Sequence, residues 1–186
     1  MDKDNGTPKK ALWIARTGIL IALLVVLQAA TIPLGNSFIT GSIVNMMLVV
    51  SVMTCGVATG AVVALVSPVL PTLLGFGPVW PLVPFIAAGN LVLVLLWHFI
   101  GNTGRFDRRI AHCAALAAAA VAKFLTLYFG VVKIALAFLL KLPEKQAAML
   151  SYMFSFPQLI TAAIGGVCAI FIFPPLKKAL SRRSTP

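Results

Sequence analysis

Long apolar runs recur along the whole chain, and they constrain its fold more than any other feature of the sequence. Stretches such as "IALLVVLQAA" and "LVLVLLWHFI" belong to runs of more than about 18 residues, enough for a helix to cross about 30 Å of hydrocarbon. A transmembrane barrel would alternate polar and apolar residues, and these runs do not. Because 60% of the residues are hydrophobic and only 10% are charged, the sequence predicts an all-α multi-pass protein of the lipid bilayer.

The basic residues are grouped, and the grouping predicts the topology. Eleven of the fifteen basic residues fall in three short segments. These are Lys3, Lys9, Lys10 and Arg16; Arg105, Arg108 and Arg109; and Lys177, Lys178, Arg182 and Arg183. Cytoplasmic segments next to spans carry such an excess of Lys and Arg, which accounts for the net charge of +11 without a nucleic-acid partner. Both termini and the middle segment are therefore expected in the cytoplasm.

Two cytoplasmic ends require an even number of crossings, and the sequence predicts a compact bundle of six spans in one domain, residues 1–186. The first apolar run is interpreted as a retained span, because several more follow it and no clear cleavage site does. Cytoplasmic tails are expected at 1–10 and 174–186, and spans at about 11–32, 41–53, 57–74, 82–100, 110–140 and 147–173. Residues 41–75 leave about 17 residues for each crossing, the lower limit for a span. A re-entrant hairpin that begins and ends outside fits this segment equally, with four full spans.

Polar and aromatic residues gather toward the predicted outer ends of the spans. The outer loops "PLGNSFITG" and "GFGPVWP" carry no charge but offer Asn36, Phe38 and Trp80, and Asn45 and Asn90 follow inside the spans. Such residues fit the mouth of a small-molecule pocket. Trp and Phe also anchor helices at headgroup level, so the loops alone leave both interpretations open.

Lys123 is the least expected residue, because it lies about 20 Å along a helix from Ile110 and cannot easily reach the inner surface. An intramembrane charge costs at least about 2.5 to 3.5 kcal/mol and usually faces a cavity or a partner. No Asp or Glu lies in a predicted span, so an anionic or carbonyl-rich ligand, or water in an outward-open pocket, would supply the partner. Alternatively, helix carbonyls hold the ammonium, or the helix is displaced outward so that Lys123 lies nearer the outer surface. Helical spacing places Lys123 on one face with Thr126, Gly130 and Lys133.

Three segments of the sequence carry a resemblance to a known family: "ITGSIVN", "PLVPFIAAGN" and "FSFPQLITAAIGG...FPPLKK". They are similar to the riboflavin, pantothenate and cobalamin-type branch of the substrate-binding S components of energy-coupling factor (ECF) vitamin transporters. "ALWIA" resembles the AxxxA contact motif in span 1 of that family. The resemblance implies a subunit of the bacterial plasma membrane that binds a vitamin-like substrate near the outer surface. It works with a transmembrane scaffold subunit and two ATPases, and it needs no cofactor of its own. The sequence has no phosphate-binding "GxxxxGK[ST]" loop, which agrees with ATP hydrolysis by the separate ATPase subunits.

The resemblance also assigns residues to two surfaces. Small residues four apart let helix backbones approach closely, and those in span 1 would face the scaffold: Ala11, Ala15, Gly18 and Ala22. Substrate contacts in the family vary with the substrate and lie in the outer loops and outer halves of spans 4 to 6. Polarity and depth select the candidates here: Asn36, Phe38, Asn45, Trp80, Asn90, Lys123, Tyr128, Tyr152 and Gln158.

Two other functions compete with the binding subunit. A membrane enzyme would need a catalytic pair or a metal site, and His98 and His112 have no carboxylate or cysteine at ligand spacing. A stand-alone carrier coupled to protons or ions typically needs a titratable group in mid-span. Lys123 can serve as that group, so the carrier is the alternative function.

Overall fold

The regular elements are helices throughout the part of the chain that the computed structural model describes, residues 6–101 and 107–181. Residues Lys3, Arg105, Arg182 and Arg183 of the predicted basic segments lie outside it. The helices are α1 (Gly6–Thr31), α2 (Ser37–Cys55), α3 (Val57–Leu73), α4 (Val83–Gly101), α5 (Arg108–Leu127), α6 (Glu144–Met153) and α7 (Phe156–Ser181). Single 3-10 turns precede α2 and α4, at Ile32–Leu34 and Trp80–Leu82.

The connection between α1 and α2 is shorter than the outer loop expected over residues 33–41. Gly35 follows the 3-10 turn in a left-handed conformation, with φ at 64°. Asn36 then caps α2, because its side-chain oxygen accepts a hydrogen bond from the backbone N–H of Phe38 at 3.0 Å. The helix therefore begins at Ser37, and residues expected in the loop form its first turn.

The last two predicted spans also differ in detail from the helices observed. The helix of α5 continues without a break as a π-helical segment, Tyr128–Leu139. The final apolar run forms two helices, α6 and α7, that are separated at Phe154 and Ser155. Pro157 explains the break, because proline has no backbone N–H and is best placed in the first turn of a helix.

Five helical stretches within the described residues are long and apolar enough to cross a membrane: Lys10–Leu34, Ser37–Cys55, Trp80–Gly101, Arg108–Leu139 and Glu144–Ala179. The shorter α3 has 17 residues, or about 25 Å of helix. It packs against α1, α2 and α4. A sixth crossing at α3, and cytoplasmic termini, remain predictions.

The core lies where α2 meets its neighbours, and glycine sets the closest approach. Leu48, Val52 and Val94 are fully buried there. The most extensive contact joins α2 to α7. A Cβ atom at Gly165 would lie 2.5 Å from the backbone oxygen of Ser42 and 2.6 Å from the Cβ of Asn45. Only a residue without a side chain lets these two backbones approach so closely.

Helix α1 lies at the edge of the bundle. Its buried side includes Thr17, whose hydroxyl is hydrogen-bonded to that of Thr59 in α3 at 3.1 Å. The small residues of the AxxxA-like stripe are exposed, and a Cβ at Gly18 would meet nothing within 4 Å. Apolar residues beside the stripe, such as Ile14 and Ile19, are exposed as well. The stripe therefore faces away from the described part of the bundle.

Candidate functional site

A cavity of about 540 Å³ lies at one end of the bundle, within the size range of small-molecule pockets. The connections from α1 to α2, from α3 to α4 and from α6 to α7 converge around it. Along α1, α5 and α7, the basic residues Lys10, Arg108 and Lys177 lie at the helix ends away from the cavity. If the basic ends are cytoplasmic, as the charge distribution predicts, the cavity belongs to the outer half of the protein.

The wall of the cavity is mostly apolar, and its polar residues carry amides, hydroxyls and one ammonium. The apolar lining includes Ile32, Val44, Pro68, Pro71, Phe76, Leu82, Ile86, Leu127, Leu150, Met153 and Phe154. The polar lining consists of Gln28, Asn36, Ser37, Thr40, Asn45, Ser67, Asn90, Lys123 and Gln158. The lining residues include no carboxylate, so the only charge on the wall is positive.

Lys123 is held by two asparagines. Its side chain is only 3% exposed, and its Nζ donates one hydrogen bond to Asn45 Oδ1 and one to Asn90 Oδ1, each at 2.5 Å. Both acceptors are neutral amides, so the ammonium is solvated by dipoles and has no counter-ion in this network. An ammonium has three N–H groups, and one of them remains for a further acceptor.

Each asparagine is fixed in turn by its own amide nitrogen. Asn90 Nδ2 donates to Ser67 Oγ at 2.8 Å, and Asn45 Nδ2 donates to Thr161 Oγ1 at 3.3 Å. The hydroxyl of Ser67 donates to the carbonyl of Ala64 at 2.8 Å. That carbonyl would normally accept from residue 68, which is a proline without an N–H. The network therefore links α2, α3, α4, α5 and α7 around Lys123.

The candidate substrate-binding residues divide into two groups by position. The cavity wall includes Asn36, Asn45, Asn90, Lys123 and Gln158. Asn36 also acts as the cap of α2, and Gln158 donates from Nε2 to the carbonyl of Met153 at 3.1 Å.

The aromatic candidates lie away from the cavity wall. Trp80 and Tyr152 are 54% and 64% exposed, and Phe38 is half-buried. Tyr128 packs against Phe124, with ring centroids 5.9 Å apart. The aromatic residues on the wall are Phe76 and Phe154 instead.

The face of α5 that turns inward differs from the one that helical spacing suggested. Buried residues recur every four positions, at Ala111, Ala115, Ala119, Lys123, Leu127, Val131 and Ala135. A repeat of four keeps one face inward through the π-helical segment, which has more residues per turn than an α-helix. Gly130 is also buried and Thr126 is half-buried, but Lys133 is exposed, with its Nζ 5.5 Å from the centroid of the Tyr128 ring.

Four polar lining residues are absent from the set predicted from the sequence: Gln28, Ser37, Thr40 and Ser67. Gln28 interrupts the apolar run "LLVVLQAAT", and Ser67 precedes a proline inside an apolar helix. A single amide deep in an apolar span, and a hydroxyl that can satisfy the carbonyl left without a donor by a proline, are features that could have identified Gln28 and Ser67 from the sequence.

Among the described residues, no group of three His, Cys, Asp or Glu side chains is arranged to hold a metal ion.

An apolar helical bundle with a cavity of this kind defines a multi-pass membrane protein with an internal polar site. The model of the family "ECF transporter, substrate-specific component" matches residues 13–177, and the chain therefore belongs to that family. The family consists of transporter components, which work with scaffold and ATPase modules, and not of enzymes. Searches of curated proteins and of solved structures find no match to this chain.

Proposed function

We propose that this chain is the binding subunit of an ECF importer in a bacterial plasma membrane, and that it captures a vitamin or related micronutrient at the outer face with high affinity. A scaffold subunit and two ATPases then drive delivery to the cytoplasm. One observation supports this most directly: Lys123 lies on the wall of an apolar cavity, and it is held by neutral oxygens alone. A substrate with a carboxylate or carbonyl group completes its hydrogen bonding.

The chemistry around Lys123 defines what this side of the cavity offers. The amide oxygens of Asn45 and Asn90 each accept one hydrogen bond from the ammonium. Hydrogens remain unused, one on Lys123 and one on each amide nitrogen, since each Nδ2 carries two and donates one. This side therefore offers a positive charge and several unused N–H groups, and it favours anionic or carbonyl groups over cations.

The first test is binding by the purified chain alone. The chain is titrated in detergent with riboflavin, pantothenate, biotin and nicotinate, which carry carbonyl or carboxylate groups, and with the cation thiamine. We expect at least one of the first four to raise the thermal unfolding midpoint, and thiamine to have no effect, because Lys123 repels a cation. Stabilisation by thiamine, or by none of the five, would contradict the proposal.

The second test separates a binding subunit from a stand-alone carrier, the alternative that Lys123 keeps open. The chain is reconstituted in vesicles alone, and also with an ECF scaffold subunit and its two ATPases. We expect the bound panel compound to enter the vesicles only when the partners and ATP are present. Uptake by the chain alone, driven by a proton or ion gradient, would identify a carrier.

The exposed stripe of α1 is the proposed docking surface for the scaffold. Leucine at Gly18 is expected to leave affinity for the panel compound within about twofold, because a Cβ atom there meets nothing within 4 Å and the residue lies away from the cavity wall. The same substitution fills the groove that close helix packing requires, so co-purification with the scaffold should fall at least about fivefold. Phe171→Leu is the control, since Phe171 is an exposed residue of α7, and it should change neither quantity. Normal assembly of Gly18→Leu would place the docking surface elsewhere.

A further inference from the structure

The cavity wall near the end of α1 carries a second set of polar side chains, Gln28 and Thr40. Gln28 is 9% exposed and lines the cavity. Its amide oxygen has no hydrogen-bond partner among the described residues. A buried amide oxygen without a donor costs about 1 to 3 kcal/mol in stability, and a bound molecule that donates a hydrogen bond to Gln28 would remove this cost.

Thr40 adds a second acceptor to the same wall. Its hydroxyl donates to the hydroxyl of Thr31 at 3.0 Å, and Thr31 donates onward to the carbonyl of Leu27 at 2.8 Å. The proton of Thr40 is therefore used, while its oxygen lone pairs remain available. Thr40 lines the cavity next to the end of α1.

The centres of the two polar regions belong to different helices: Gln28 lies on α1 and Lys123 on α5, whereas Thr40 and Asn45 share α2. Helix α1 packs against α2 and α3, whereas α5 packs against α4 and α7. Donors are unused around Lys123, and acceptors are unused around Gln28 and Thr40. A molecule that fills the space between them meets N–H groups on one side and oxygens on the other.

We propose that Gln28 and Thr40 form an acceptor subsite for a hydroxyl or N–H group of the substrate. This inference rests on the proposed function and adds to it a substrate class: a small molecule with a carboxylate or carbonyl at one end and a hydrogen-bond donor at the other. Because the Gln28 oxygen is enclosed in this structure, binding requires the amide to rotate about its last side-chain bond so that the oxygen faces a donor in the cavity. Gln28 is thus a specificity-determining residue, retained at a cost to the empty protein.

Gln28→Leu tests the subsite, because a ligand role and a structural role predict opposite changes in stability. Without a probe, the variant is expected to unfold at the wild-type temperature or above it, since the unpaired buried oxygen is gone. Its affinity for pantothenate, riboflavin or biotin, whichever stabilises the wild type most, is expected to fall roughly tenfold. These three probes carry donors, and nicotinate does not.

Thr17→Val is the matched control on the same helix. Thr17 is buried and hydrogen-bonded to Thr59, but it does not line the cavity. This variant should unfold at a lower temperature and bind the same probe with wild-type affinity, the reverse of the pattern expected for Gln28→Leu. If the leucine variant does not fold, Gln28→Met, with an unbranched side chain of similar length, is measured by the same two criteria.

Unchanged affinity in the Gln28 variants would overturn the acceptor subsite and leave the proposed function intact. Tight binding of nicotinate alone among the panel compounds would do the same, because that probe has an acceptor group and no donor. If the wild type binds none of the panel compounds, the proposed function fails, and the subsite fails with it.

Discussion

Replacement of Lys123 by methionine is expected to weaken binding of the panel compound at least about tenfold, which is about 1.4 kcal/mol. The remaining N–H of the ammonium offers a charge-assisted hydrogen bond, the stronger kind, and methionine offers none. The measurement is titration of the purified variant in detergent, with the unfolding temperature recorded on the same sample.

The variant is also expected to insert and fold, because two effects on stability offset each other. Loss of the ammonium leaves the amide oxygens of Asn45 and Asn90 unpaired, at about 1 to 3 kcal/mol each. It also removes an intramembrane charge, whose cost is at least about 2.5 to 3.5 kcal/mol. A change in affinity therefore reports on the site and not on a failure to fold.

Lys133→Met is the matched control for this prediction. Lys133 lies on the same continuous helix, but it is exposed and its Nζ is over the ring of Tyr128. Affinity should stay within about twofold of the wild type. Equal losses in both variants would indicate a general effect of charge, and wild-type affinity in Lys123→Met would remove Lys123 from the site.

Substitution of Gly165 by alanine is expected to destabilise the bundle by about 1 to 3 kcal/mol or more, as overpacking of a filled core does. The new methyl group would overlap the backbone oxygen of Ser42, and the Cβ of Asn45, on the facing turn of α2. Backbone cannot move aside as a flexible side chain can, so α2 and α7 must separate. The unfolding temperature of the purified variant measures the effect.

Affinity for the panel compound should fall together with stability in Gly165→Ala, because the displaced turn carries Asn45, which accepts a hydrogen bond from the Lys123 ammonium. Gly18→Ala is the control, since nothing lies within 4 Å of a Cβ at Gly18, and it should match the wild type in both measurements. A wild-type unfolding temperature for Gly165→Ala would show that α2 and α7 are packed less closely than the structure indicates.

Lys123 illustrates how far the sequence alone leads toward the site. A lysine far from the helix ends, in a chain without acidic residues in its spans, was predicted to face a cavity because an unsolvated charge is so costly. The cavity is present, and Lys123 lies on its wall. Its protein partners were not predictable, because Asn45 and Asn90 are 78 and 33 residues away in the chain.

Tyr152 and Gln28 show that the sequence alone does not reveal which side chains line the cavity. Tyr152 was selected for its polarity and depth, yet its side chain is mostly exposed, while Gln28 was passed over and lines the cavity. The rotation of a helix about its own axis decides whether such a residue lies on the cavity wall. In a soluble helix an apolar stripe reveals that rotation, but here most residues on every face are apolar.

The sequence by itself determined that this chain is a bundle of membrane helices, because backbone groups in hydrocarbon must be satisfied within each helix, whatever surrounds it. It also singled out a buried lysine as costly enough to need a partner. Only the tertiary structure decided which faces turn inward, and hence which amides surround Lys123 and which remain unpaired. The physical reason is that lipid is as apolar as the protein core, so close packing orients these helices and solvent does not.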